Sequence, residues 1–284
     1  MSTLEVPQAA DIYVNSSEPL APLPLPSVPA QIIRSDQQAI EVAEQLAEQF
    51  AVGAARRDRE GILPVAELEA FSQSGLWGIN VPKAYGGAEV SYATVARVIS
   101  IISAADSALG QIPQNHLAGV AHLIADGSES QKQRLLAGVL RGERWGNAFS
   151  EKGSKTVADF RTTLTRHGDH LRVNGEKFYA TGALLAHKVH TVAVDEQGLV
   201  QLVVLNRDSA GLTVINNWSS FGQRTTASGS VVLDNVRATE EDVIPVWKAF
   251  DRPTAAGAIS QIIQAAVDAG IARGTLADTV KFIN

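Results

Sequence analysis

Apolar residues recur every three or four positions through the first half of the chain and every two positions through its third quarter. In 36–59, Ile40, Ala43, Leu46, Ala47, Phe50 and Ala54 form one helical stripe, separated by Glu41, Glu44, Glu48 and the Arg56–Arg57 pair. The spacing predicts a single helix there. A shorter helix opens at Pro64, suited to a first turn, and stops at Gly75. A third starts near Ser91 with Val95, Val98, Ile99 and Ile102 on one face. A fourth includes 116–124. A fifth is announced by Ser128 three residues before Gln131, a capping-box pattern.

The period changes near Trp145. Alternating runs at 161–166 and 170–173 flank Gly168–Asp169. Asn174–Gly175 is a hairpin signal, followed by 177–180. Further strands are expected at 189–194, 199–205, 212–215 and 229–233, which together predict an antiparallel β barrel or sandwich. Helical spacing returns after Pro253, with Gly270 and Gly274 marking a close-packing face. The expected class is α+β. Its parts are an extended Pro-rich tail (1–30), a helical domain (31–143), a β domain (144–244) and the first helix of a C-terminal helical domain (245–284). One long apolar helix cannot bury its own face, so the reading is of a domain cut short at Asn284.

Composition narrows the chemistry. The 284 residues are 45% hydrophobic and 19% charged, with net charge -6, an ordinary globular balance that argues against nucleic acid or an anionic membrane as main partner. With no cysteine, disulfides, thiolate metal sites, iron–sulfur clusters and thiol nucleophiles are excluded. The first basic residue is Arg34, so the start lacks the charged region of a secretory leader, and no apolar run is long enough to span a membrane. The expected location is the cytoplasm. His187 and His190 have metal-like spacing without an accompanying carboxylate and are read as structural; no metal site is expected.

Four local patterns carry the functional reading. The first, 75–87 (GLWGINVPKAYGG), is a helix stop, a short extended piece and a glycine turn. The second, 147–154 (NAFSEKGS), lies where helices give way to strands, a junction that favours ligand pockets. The third, 174–182 (NGEKFYATG), places Tyr179 and Thr181 two apart, hence on one side of a strand. An aromatic plane beside a hydroxyl suits a flat, polar-edged ring. The fourth is 221–230 (FGQRTTASGS), leading into 231–236 (VVLDNV).

In this order and spacing the four patterns resemble the acyl-CoA dehydrogenase superfamily, from about residue 36 to the end. The resemblance implies a flavin cradle, holding FAD or FMN, within 145–181. Ser150 falls on the family's flavin-contacting Thr and Phe149 on the apolar residue before it, with Ser154 matched to the later Gly-Ser. Tyr179 takes the place of the aromatic residue beside the flavin. Thr181 takes that of the hydroxyl reaching the flavin N5 edge. Asp251–Arg252 falls on the pair opening the next long helix.

The loop after Ser150 departs from the dehydrogenase pattern, which turns the expectation away from acyl-CoA. The 147–151 and 225–230 strings are similar to the branch containing dibenzothiophene monooxygenase and the sulfur-acquisition oxidoreductases. That resemblance implies a reduced-flavin monooxygenase acting on a small organosulfur compound. Asn147, Thr181 and His116 would be catalytic, hydrogen-bonding the reacting centre and shielding it from water. A separate flavin reductase would supply the cofactor, and the assembly would be a homotetramer. Two alternatives stay open. One is an FAD-dependent acyl-CoA dehydrogenase that oxidises a Cα–Cβ bond, for which Asp251 is the candidate base; otherwise Asp251 is a helix cap. The other is an inactive truncated chain, because in the family the rest of the bundle walls the flavin and makes most tetramer contacts.

Overall fold

The computed structural model describes residues 22–26, 28–153, 156 and 159–283; Ser154 and most of the Pro-rich segment lie outside them. Six helices come first: α1 (Asp36–Ala51), α2 (Ala54–Glu60), α3 (Val65–Ser74), α4 (Tyr92–Ala105), α5 (Ser107–Asp126) and α6 (Glu129–Leu140). The stripe at 36–59 is two helices rather than the expected one. Gly53 turns left-handed at φ 78° between them. Arg57, in place of a solvated surface, folds back into the core. It donates to the Val52 and Phe50 carbonyls at the end of α1, and pairs with Asp106 and Glu67, both at 2.8 Å. One buried guanidinium thus satisfies the orphan carbonyls of a helix end. Asp106 also caps α5, accepting from the amides of Ala108 and Leu109. The Ser128–Gln131 capping box forms as expected.

Eight strands follow: β1 (Trp145–Ala148), β2 (Thr163–His167), β3 (His170–Lys177), β4 (Lys188–Asp195), β5 (Val200–Asn206), β6 (Leu212–Ile215), β7 (Ser230–Ala238) and β8 (Val243–Ile244). The sheet runs β6-β7-β3-β2-β4-β5-β8, with β1 beside β4. It is mixed, not purely antiparallel: both β1 and β2 pair with β4 in parallel. Gly168–Asp169 is the β2–β3 hairpin turn. Asn174–Gly175 is not a turn. It lies inside β3, where the register against β7 shifts, and Asn174 Oδ1 accepts from Asn235 N. Gly175 is needed for proximity, since a Cβ there would sit 2.3 Å from Thr162 Oγ1. Asn-Gly marks a bulge as readily as a hairpin.

The last helix, α7 (Ala256–Ile283), packs on α4 and α5. Gly270 and Gly274 are the close-approach face; a Cβ on Gly274 would lie 2.4 Å from the Ala104 carbonyl oxygen. The first helices therefore bury Ile259, Ile263, Ala266 and Val267, while Leu276, Val280, Phe282 and Ile283 are exposed. A single apolar core joins α1, α3, α4, α5, α6 and α7 to the sheet, with Trp77 and Trp145 among its largest buried side chains. No helix among the described residues is long and apolar enough to cross a membrane.

Candidate functional site

Three segments converge at the end of β1. They are β1 itself with 149–151, the turn at 178–182 after β3, and the loop at 223–229 before β7. Asn147 N donates to Thr181 O, Ala180 N to Gly229 O, Gly182 N to Thr226 O and Phe178 N to Ser150 O, all within 2.8–3.1 Å. The turn is pinned from both sides. Gly146 permits this approach, because a Cβ there would meet Ala183 Cα at 2.3 Å.

The backbone here is strained. Among the described residues, non-glycine φ values in the left-handed region include Tyr179 at 55°, Gln223 at 48° and Ala227 at 49°. Each costs on the order of 1 kcal/mol, which the surrounding bonds must offset. Tyr179 and Thr181 consequently do not share a strand face: β3 has ended, and Thr181 N donates back to Tyr179 O at 2.9 Å. The strain has a visible product. Tyr179 is held 55% exposed, with its ring against Phe178 at 4.4 Å and edge-on to Trp218 at 5.9 Å.

Polar groups at this turn are incompletely satisfied. Asn147 Nδ2 donates to Tyr179 O at 3.3 Å, and that carbonyl can only accept, so the amide orientation is settled. Asn147 Oδ1 is buried without a partner. A buried acceptor left open costs about 1–3 kcal/mol. Thr181 Oγ1 contacts Ser228 Oγ at 2.9 Å, which contacts Thr226 Oγ1 at 2.7 Å. Phe149 is partly buried and Ser150 exposed at the rim. Asn147, Phe149, Ser150, Tyr179 and Thr181 thus gather around one turn.

Glu151 and Lys177 hold the loop beneath them. Lys177 Nζ bonds Glu151 Oε1 at 2.7 Å and Phe149 O at 3.1 Å, while Thr162 Oγ1 and the amides of Arg161 and Thr162 also donate to Glu151. Burial pushes the Glu151 carboxyl up, but bonds from Lys177 and Thr162 outweigh it and hold it below its ordinary value. Burial lowers Lys177, opposed by Glu151. A cleft of about 340 Å³ opens beside this pair, lined by Lys152, Arg161, Phe178 and Ser230 among others. It adjoins the turn through Phe178.

His116 is elsewhere. It is fully buried, with Nε2 3.0 Å from Trp77 O and Nδ1 accepting from Trp145 N at 3.0 Å. Both ring nitrogens are engaged by backbone, leaving neither for a ligand; His116 ties α5 to the root of β1. Its ring belongs to a ladder running Trp77, His116, Trp145, His190, Phe149, with neighbouring centroids 4.8–5.9 Å apart. Burial drives both His116 and His190 down to about 3, so they are neutral. His190, read from sequence as merely structural, backs Phe149 edge-on at 5.2 Å. His187 lies outside the ladder: its Nδ1 accepts from Arg144 N and its Nε2 is 3.1 Å from Pro24 O, tying down the described end of the Pro-rich segment.

Asp251 is exposed and does not cap α7, which starts five residues later with Thr254 Oγ1 accepting from Ala256 N. It closes a short 3-10 turn by donating its amide to Lys248 O, so the helix-cap expectation is corrected. Arg252 instead pairs with Asp126 at the end of α5. Sequence reasoning missed Ser228, Thr226 and the Glu151–Lys177 pair. All lie inside motifs already singled out, but only the fold shows which side chains meet. Among the described residues, no group of three His, Asp or Glu side chains could hold a metal.

Two family models match. The acyl-CoA dehydrogenase N-terminal domain covers residues 35–143 and the middle domain of the same enzymes covers 147–236. Dibenzothiophene monooxygenase of Rhodococcus erythropolis is 32% identical over 257 residues, covering 85% of this chain. A Pseudomonas putida protein named "Probable FMNH2-dependent monooxygenase SfnC" is 28% identical over 250 residues, covering 86% of this chain. The FMN-bound structure of TdsC, a dibenzothiophene monooxygenase from a Paenibacillus species, superposes with TM-score 0.81 at 32% identity, covering 86% of this chain and 64% of that one. The chain spans 61% and 62% of the length of the Rhodococcus and Pseudomonas relatives. With both domain models matched in sequence and the fold shared, the chain belongs to the acyl-CoA dehydrogenase superfamily.

Proposed function

We propose that this chain carries the flavin-binding part of a monooxygenase that uses reduced flavin and oxygen on a small organosulfur compound. The observation that carries the reading is the 178–182 turn. There a strained backbone presents an exposed aromatic ring beside a buried, unpartnered amide oxygen and a hydroxyl. These groups fit an isoalloxazine, which is flat, apolar on its faces and hydrogen-bonding along one edge. Tyr179 would flank the ring, Phe149 would cover apolar surface, and Ser150 would bond the rim. Asn147 and Thr181 would address the polar edge, Thr181 toward N5. Bound there, reduced flavin would supply the electrons for oxygen activation. The chain's own part is to orient the ring and exclude water with the buried aromatic ladder behind it.

FMN is the favoured form, since TdsC binds it in its crystal structure. His116 acts as a positioning residue, setting the start of β1. The reduced flavin would come from a separate flavin reductase, and a homotetramer in the cytoplasm belongs to the same proposal. The domain limits at 31–143, 144–244 and 245–284 are likewise proposed as folding units, checkable by limited proteolysis. Anaerobic titration with FMN and FAD, then turnover of an organosulfur panel with an added flavin reductase, tests the reading. Saturable flavin uptake with oxygen-dependent sulfoxidation supports it. Bleaching of bound flavin by an acyl-CoA, or no uptake at all, overturns it.

A further inference from the structure

The cleft of about 340 Å³ beside Glu151 and Lys177 plays no part in the flavin reading. Its floor is the outer face of β6, β7 and β3. Along β7, Ser230 and Val232 are half-buried and alternate with the buried Val231 and Leu233, so they point away from the core. Ile215 pairs with Ser230, and Glu176 with Val232, which places them on the same face. Phe178, one residue past β3, completes the floor. The volume is at the lower end of the roughly 300–1,000 Å³ typical of small-ligand sites.

The wall is the loop that follows β1. Glu151 fixes both of its ends. Lys152 is its neighbour in sequence, and its carboxylate accepts from the amides of Arg161 and Thr162 at 2.8 and 3.0 Å. Lys177 holds that carboxylate from the sheet at 2.7 Å. The loop thereby brings Lys152 and Arg161 to the same cleft. Lys152 Nζ lies 4.1 Å from the centre of the Phe178 ring, spending its charge on an aromatic face. Arg161 Nη2 donates to Gly153 O at 2.6 Å, which leaves most of the guanidinium N–H groups open. Among the described residues, no carboxylate lies within ion-pair distance of either cation. Glu176 is an exposed opposing charge on the rim. Glu151 and Lys177 offset each other. Two cations against one carboxylate leave the cleft positive, in a chain of net charge -6.

We propose that this cleft is a binding site for a small organic anion with a flat apolar body, a sulfonate or carboxylate. The body lies on Phe178, Val232 and Ile215. The oxyanion head bridges Lys152 and Arg161. A planar guanidinium gives an oxyanion two parallel N–H bonds, and the ammonium adds a point charge. Glu176 sets a limit on affinity, because it faces the same head group. The inference stands apart from the flavin reading, since it uses none of the residues assigned to the cofactor.

The test is calorimetric titration of the full chain with naphthalene-2-sulfonate, run beside the neutral 2-naphthyl methyl sulfone. The sulfonate is expected to saturate one site and to bind at least about tenfold more tightly than the sulfone. Lys152→Met and Arg161→Met should each weaken it about fivefold. Glu176→Gln should tighten it roughly twofold, a gain that damage to the fold would not produce. Saturating FMN should leave the sulfonate affinity unchanged. No saturable uptake, equal uptake of sulfonate and sulfone, affinities unmoved in the folded variants, or displacement by FMN overturns the inference. Failure of the flavin reading would show separately, as absent FMN uptake.

Discussion

The two sides of β1 are built to opposite rules. On one side lies the ladder of Trp77, His116, Trp145 and His190, buried ring against ring, with both His116 nitrogens bonded to backbone, though Trp145 Nε1 and His190 Nδ1 have no partner. On the other lies the 178–182 turn, with left-handed Tyr179, an open Asn147 oxygen and a half-exposed ring. The first side ties α5 to the root of β1 and serves the fold. The second contains groups that only a ligand relieves, and strain of that kind gathers at functional sites. The contrast teaches that leftover bonding capacity points to function where strained backbone and an exposed ring accompany it, as at the 178–182 turn, and not where buried rings enclose it.

The comparison breaks most visibly at the Glu151–Lys177 pair, which holds the loop after β1 against the end of β3. Lys177→Met removes a cation bonded to the Glu151 carboxylate while the bonds from Arg161 N and Thr162 remain, and stability should drop by about 3 kcal/mol in urea melts. A loss below 1 kcal/mol would mean the pair is not needed to hold the loop. Next comes pH. Native His116 and His190 sit near 3, against about 6.5 when unfolded, so unfolded chains bind more protons below 6.5. Their contribution is fully present above pH 6.5 and is lost as pH falls toward 3, by about 2 kcal/mol per histidine at pH 5. His190→Phe should flatten this slope between pH 6.5 and 5; an unchanged slope would contradict the buried, neutral assignment.

On the other side, Thr181→Val should weaken reduced-FMN binding about tenfold while loss of the Ser228 contact lowers stability by only about 1 kcal/mol. Tyr179→Gly should separate the two rules in one variant. Relief of the left-handed backbone should raise stability by about 1 kcal/mol while flavin affinity falls. Loss of stability there would show that the ring serves the fold. The smallest effect expected is that of Asp251→Asn, an exposed turn residue: less than about twofold in turnover.

Much of the scaffold was legible because its signals are local. Ser91, Ser128 and Gly75 end helices by their own side-chain or backbone chemistry, and strand alternation needs only neighbours. The errors arose where distant groups decide. Gly53 breaks the first stripe where Arg57 turns in to meet Asp106, which is far along the chain. Asn174–Gly175 became a bulge because Thr162 and Asn235 press on it. The mixed sheet needs β1 to reach past the β2–β3 hairpin to β4. The site residues were identified by resemblance, yet the reason Tyr179 projects is its backbone angle, which alternation misread as a strand. His116 looked reactive in sequence and is saturated in the fold, whereas Ser228 passed unremarked and lies 2.9 Å from the Thr181 hydroxyl.

The cradle's claim on flavin is tested most directly by equilibrium titration of the chain with reduced FMN under anaerobic conditions, run beside Asn147→Leu and Thr181→Val. The account predicts saturable one-to-one uptake by the unaltered chain and about tenfold weaker uptake by each variant, with both variants still melting cooperatively as folded chains. Uptake equally strong in both variants, or none in the unaltered chain, would contradict it.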